Sequence, residues 1–261
     1  MDRTMMIRRI AAGAVSLSLL TGGGVLAGCG SGSSDTPAST AASDAATQAP
    51  NGIEKLPARE ILSKSLAASK AASSVTVKGT IAEEGEEGTS LDLVLGADAS
   101  TGTMSINGFS MEIRVTGGTL YYKIDLAGAE AILGPGDASA AIGGKWIKVS
   151  PGDDDDLLSD LGGFSDKDAL LTSFLAPEGT STVKGTGDVK GTPVVFVTVA
   201  DGGDKGTLAV QTVGEPYPVQ LTSQGTKGAI TFSNWNAPVN VTAPTGAVSP
   251  DEIAGAGGGS N

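Results

Sequence analysis

The chain has 261 residues, a net charge of −12, one cysteine and no histidine. An acidic surface is repelled by phosphate backbones, which excludes nucleic acid as a partner. Without histidine the commonest general base and the commonest zinc ligand are both missing, and a single cysteine forms no intrachain disulfide.

Arg3, Arg8 and Arg9 precede an apolar run from Ile10 to Leu26, broken by Ser16, Ser18, Thr21 and glycines. A charged start, an apolar middle and small residues before a cut describe an export signal rather than a membrane span. The run closes on Leu26-Ala27-Gly28-Cys29, which resembles the lipobox of bacterial lipoproteins. That resemblance implies removal of residues 1–28, diacylglycerol on the Cys29 sulfur, and residence at the extracytoplasmic face of the cell membrane. The remaining chain would carry 14 basic and 28 acidic residues. Its hold on the membrane would therefore come from acyl chains, at about 0.8 kcal/mol per buried methylene.

Residues 29–52 are Gly, Ser, Thr, Ala, Asp and Pro with almost nothing large and apolar. Such a segment buries too little surface to offset its ordering entropy, so it reads as a flexible tether with a reach of roughly 25–30 Å. Residues 53–248 read as the folded domain. Leu56 to Ser74 has helical spacing at Ile61, Leu62, Leu66 and Ser69, with Pro57 suited to a first turn.

From Val75 the period changes to two. Val75, Val77 and Ile81, then Leu91, Leu93 and Leu95, then Met104 and Ile106 alternate with polar or small residues. Phe109, Met111, Ile113 and Val115 follow, and Gly117-Gly118 signals a tight hairpin before Leu120, Tyr122 and Ile124. Glu83 to Glu87 reads as a charged hairpin tip. These are five antiparallel strands with one apolar face.

Asp125 to Gly144 is rich in Ala and Gly without a clean period, leaving a short helix or an ordered loop equally open. Lys145–Val149 reads as a strand. Asp153–Asp156 suits a helix N-terminus before Leu157, Leu158 and Leu161, and Ser165 with Asp168 three residues on reads as the cap of a helix ending at Pro177. Strands return at Ser181–Val189, Thr192–Ala200, Gly206–Val213, Val219–Gln224 and Ala229–Asn234. Residues 249–261 read as a disordered tail. Strand runs separated by helical blocks indicate an α+β fold with helices on one face of an antiparallel sheet.

Motifs for chemistry are scarce. Ser181-x-x-Lys184 has the spacing of a penicillin-binding nucleophile but lies in strand-like sequence without the partner motifs. Asp153–Asp156 lacks the alternating spacing of a calcium loop. The ten aromatic residues make a thin stacking platform for sugars, and no phosphate-binding glycine loop occurs. No enzyme activity, metal or cofactor is expected. Trp146 and Trp235 read as core or rim aromatics, or as rings at a cavity mouth. Short helices rich in Ala and Ser either close on the sheet or leave an apolar void that favours hydrocarbon. The residues that alternation turns toward such a void are Leu91, Leu93, Leu95, Met104, Ile106, Met111, Ile113, Val115 and Tyr122.

Several short motifs occur in a particular order. The lipobox and tether are followed by a helix running into Ser74-Val-Thr-Val-Lys-Gly-Thr80, then Gly144-Lys-Trp-Ile-Lys-Val149 and Gly191-Thr-Pro-Val-Val195. Gly214-Glu-Pro-Tyr-Pro-Val219 and Phe232-Ser-Asn-Trp-Asn-Ala-Pro-Val239 complete the series. Together they resemble the LppX/LprG-type lipoproteins of actinobacteria. The resemblance implies a fold like the lipoprotein carrier LolA: a strongly curved antiparallel half-barrel of about eleven strands with a few helices on its concave face. It further implies a lipid or lipoglycan ligand, a role in carrying or storing envelope lipids, and an envelope transporter as a further partner. The alternative is a non-enzymatic accessory or sensor domain that works through protein contacts.

Overall fold

A computed structural model describes residues 49–83, 88–106, 108–150, 166–176, 179–201, 204–224, 226–249 and 252–253. The export signal, Cys29, the tether up to residue 48, the Glu84–Glu87 part of the charged tip, the Asp153–Asp156 run and Ser165 lie outside them.

Eleven strands form one antiparallel sheet: β1 (Ser74–Glu83), β2 (Thr89–Gly96), β3 (Ser100–Ile106), β4 (Phe109–Thr116), β5 (Thr119–Ile124), β6 (Ile147–Val149), β7 (Thr180–Val189), β8 (Thr192–Asp201), β9 (Asp204–Gln211), β10 (Pro218–Ser223) and β11 (Thr226–Ser233). Their order is β6-β5-β4-β3-β2-β1-β11-β10-β9-β8-β7. Among the described residues four α-helices accompany them: α1 (Ala58–Ala71), α2 (Leu126–Leu133), α3 (Asp137–Ile142) and α4 (Lys167–Leu175). The strands expected from alternation are present, and the open stretch after Asp125 resolves into α2 and α3. The turns joining β2 to β3 and β4 to β5 lie at what is here termed the upper end of the sheet, with the C-terminus of α1. The turn joining β3 to β4 and helix α2 lie at the lower end.

The register aligns inward residues across ten strands. One row runs Val183, Val197, Leu208, Leu221, Ile230, Gly79, Leu91, Met104, Met111 and Ile124. A second runs Phe232, Val77, Leu93, Gly102, Ile113, Tyr122 and Ile147. The opposite face carries rows of polar pairs, although Val194 and Ala209 are buried. Thr182, Thr198 and Thr207 pair in sequence with Thr222 beside them, Lys78 meets Asp92 at 2.5 Å, and Lys123 pairs with Glu112.

Ten strand spacings of about 4.8 Å would make a flat sheet roughly 48 Å wide, several times the ~10 Å width of a helix. Yet α1 lies against β7 and β8 near one edge. Phe174 of α4 meets Phe232 of central β11 edge-on at 6.1 Å, and α2 lies against β4. Residues of all these elements join one apolar cluster, which requires the sheet to bend around the helices. Gly79 and Gly102 interrupt the apolar rows where backbone approaches closest. A Cβ on Gly79 would sit 1.9 Å from the Ala229 carbonyl oxygen, and one on Gly102 would sit 2.2 Å from that of Asp92. Such glycines permit a tight corner in a sheet.

The helix ends depart from expectation in two places. Pro57 is the N-cap of α1 rather than its first residue. The cap of α4 is Asp166, whose carboxylate accepts from the Ala169 amide at 2.8 Å, because that residue stands in extended conformation directly before the first helical turn. Residues 49–52, assigned to the tether by composition, belong to the folded body. The Gly214 amide donates to the Ala49 carbonyl at 3.0 Å, and the Asn51 side chain donates to the Gln211 and Gly214 carbonyls. In the tail, Glu252 caps Ser249 and Ile253 packs on the core.

Candidate functional site

Eight of the nine residues picked by alternation lie on the inner face or its borders. Leu91, Leu93, Leu95, Met104, Met111, Ile113 and Tyr122 are buried, none more than 6% exposed. Val115 is half-buried, and Ile106 pairs with Phe109 at the lower end, its side chain being outside the described residues. The structure therefore gathers seven of these positions into one wall that is shut to water. The sheet and its helices close on each other.

Above this wall the last turn of α1 meets the start of α4 through a polar junction. The buried face of α1 changes along its length, from Ile61 and Leu62 to Ser65 and Ser69. Ser69 donates its hydroxyl to the Ser65 carbonyl at 2.7 Å, whereas the buried Ser65 hydroxyl has no hydrogen-bond partner. Lys167, at the start of α4, is only 5% exposed. Its ammonium donates to the Lys70 carbonyl at 3.0 Å, to the Ser69 carbonyl at 3.4 Å and to the Asp168 carboxylate at 2.6 Å. These carbonyls belong to the last turn of α1, where unpaired acceptors favour a cation. Sequence reasoning missed Lys167, since a lysine in a polar helix start ordinarily reads as solvated.

A cleft of about 750 Å³ opens beside this polar junction at the upper end, lined by Lys70, Ala72, Gly96, Asp98, Val115 and Lys167 among others. It is mixed in polarity, and of the nine candidates only Val115 borders it. A smaller depression of about 470 Å³ lies among the threonines of β7 to β10 with Lys184 and Lys205. Lys184 borders that outer depression, while Ser181 pairs with Val199, which packs on the core. The Ser181-x-x-Lys184 pair is thus parted by the pleat and makes no nucleophile–base dyad. Among the described residues no group of three or more Asp, Glu, Cys or His residues converges to hold a metal, and no helix is long and apolar enough to cross a membrane.

Both tryptophans have aromatic or cationic company. Trp146 lies under Arg114, 4.7 Å from its ring centre, and near Lys123 at 5.2 Å. Trp235 stacks on Tyr217 at 4.4 Å with the planes 8° apart, and Asn236 ties the pair to the start of β1 by accepting from the Ser73 amide and donating to the Tyr217 hydroxyl. Neither ring lines the cleft.

No family model matches this chain, and no curated protein matches it. Solved structures similar to it include LprF from Mycobacterium bovis, 22% identical over 72% of this chain and 97% of that one, with a TM-score of 0.49. The lipoprotein LppX from Mycobacterium tuberculosis is 18% identical over 70% of this chain and 98% of its own, with a TM-score of 0.43.

Proposed function

We propose that this chain is an envelope lipoprotein, anchored through Cys29, that takes acyl chains of a lipid or lipoglycan between the sheet and its helical roof for transport or storage. The observation that carries this reading is the pairing of an apolar wall ten strands wide with a helical roof whose two long helices meet at one end through a polar junction. A junction of the Lys167 ammonium on the Ser69 and Lys70 carbonyls adheres less strongly than an aliphatic contact, so the two helices would part first at that end. An acyl chain of about 15 methylenes offers on the order of 12 kcal/mol on burial, which offsets opening of that junction. Leu91, Leu93, Leu95, Met104, Ile106, Met111, Ile113, Val115 and Tyr122 would form the wall of the opened site.

The reading includes no catalytic step and no cofactor. An envelope transporter that loads or unloads the site is part of the same proposal. The test is uptake of a fluorescent fatty-acyl probe by delipidated protein, with native mass spectrometry of protein taken directly from membranes. Saturable uptake and co-purified lipid support the reading; absence of both overturns it. The closed wall favours one alternative, an accessory domain that acts through its surface, and that alternative predicts a protein cross-link and no lipid of any kind.

A further inference from the structure

Leu126 and Leu133 are the large apolar side chains that stand exposed among the described residues, at 48% and 51%. They are seven residues apart on α2, two helical turns, and so share one face. The opposite side of α2 is fixed to the protein. Ala129 is fully buried, and a Cβ on Gly128 would sit 2.6 Å from the Ile124 side chain. Asp125 caps the helix by accepting from the Gly128 amide at 2.7 Å and clamps it to β4 by accepting from the Ser110 amide at 3.1 Å. The two leucines therefore project from the element that covers the lower end of the apolar row, beside Met111 and Ile124.

We infer that the Leu126–Leu133 face of α2 docks on the lipid bilayer itself, where it brings the lower end of the apolar wall to the membrane. The inference rests on the acyl-carrier reading above. The occupant follows from the chain outside the described residues. From Cys29 to Gln48 there are 20 residues, which extend to roughly 65–70 Å. The longest strands, of 10 residues, span about 33 Å. The tether joins the body at the upper end, and its length still lets the lower end touch the bilayer. Tethering also holds the domain at a high effective concentration over the surface, so a contact of two leucines suffices without high intrinsic affinity. Charge selects the kind of bilayer. Glu130 lies between the two leucines on the exposed side, with Asp125 and Asp137 flanking the helix, so attraction comes from apolar burial and anionic lipid opposes it.

The test uses the chain from residue 29 onward carrying Cys29→Ser, which isolates the weak intrinsic contact from the acyl anchor, with vesicles of pure phosphatidylcholine at about 10 mM lipid throughout the gradient, where millimolar partition still registers. Flotation is expected, unweakened by added salt and reduced when phosphatidylglycerol is mixed in. Leu126→Glu with Leu133→Glu should weaken partition by about tenfold or more and slow transfer of bound acyl probe to vesicles, while probe uptake in vesicle-free solution is unchanged. Flotation absent in the parent, or equal in parent and variant, overturns the inference. So does a concentration-dependent dimer that the same substitutions dissociate, which would assign the face to a second copy. Failure of the carrier reading is separate: neither protein then takes up probe, whatever its flotation.

Discussion

The ammonium of Lys167 lies 3.0 Å from the carbonyl oxygen of Lys70, so the first residue of α4 closes the last turn of α1. A buried cation that satisfies helix-terminal carbonyls costs desolvation and repays it only while its acceptors stay in place. Lys167→Met keeps the volume and leaves those carbonyls without their donor. The expected loss is about 1–3 kcal/mol in denaturant unfolding, with amide exchange in α4 accelerated more than in β1 or β8. Acyl-probe uptake should quicken. Equal acceleration of exchange throughout the chain would show that Lys167 supports the fold as a whole and does not govern the junction.

Ser65 offers the converse change. Its hydroxyl is buried and without a partner, so Ser65→Ala removes an unpaid desolvation and replaces serine with a better helix former. Stability should rise by about 0.5–1.5 kcal/mol, read as a higher denaturant midpoint at unchanged slope. On the carrier reading, probe uptake slows in the same variant.

Gly79→Ala and Gly102→Ala each place a methyl within 2.2 Å of a backbone carbonyl oxygen. No flexible side chain can move aside, so the ladder itself must shift. Each substitution should destabilise by about 3 kcal/mol or more, whereas Gly117→Ala, with open space around its Cβ, costs less. Comparable thermal midpoints for all three variants would contradict a tight corner at β1 and β3.

The Glu252 carboxyl is held below the usual carboxylate range by hydrogen bonds from the Ser249 amide and hydroxyl, aided by the Lys148 charge. A carboxyl whose value falls on folding contributes its stabilisation above its unfolded value and loses it as pH drops through the folded one. The turn from Ser249 to Ile253 should therefore fray in acid while the sheet persists. The Ser249 amide proton resonance, followed by NMR titration, is the measure, and an unchanged shift down to strong acid would sink the claim.

The alternation of Leu91, Leu93 and Leu95 with polar or smaller residues made the sheet legible, because period two admits one inward face and the strands are long enough to display it. The helix at Ile61 and Leu62 was legible for the same reason at period 3.6. What escaped were features made by distant neighbours. Gly79 reads as an ordinary glycine until β11 is laid against it, and Lys167 as a surface lysine until α1 ends above it. Helices α2 and α3 lie in sequence so rich in Ala and Gly that no face stands out. The candidate wall was legible as a set of inward positions. Whether helices would shut it was not, since that depends on the fit of side chains from opposite parts of the chain. The Leu126 and Leu133 pair is visible in sequence only as two apolar residues, and its exposure comes from the side of α2 that Ala129 buries.

Nine of the ten strand pairings join neighbours in chain order, and one does not: β1 with β11, in register from Thr76 opposite Ser233 to Glu83 opposite Thr226. Each half of the sheet thus assembles from strands consecutive in the chain, and among the strand pairings one closure across some 150 residues joins the halves, with Pro50 on Val213 and Val248 on Ile147 bringing the two ends of the folded chain across as well. Loop-closure entropy delays that closure relative to the hairpins. Two polypeptides divided between β6 and α4 each retain a run of consecutive strands, and mixing them should rebuild the β1–β11 ladder and return α1 to β7 and β8.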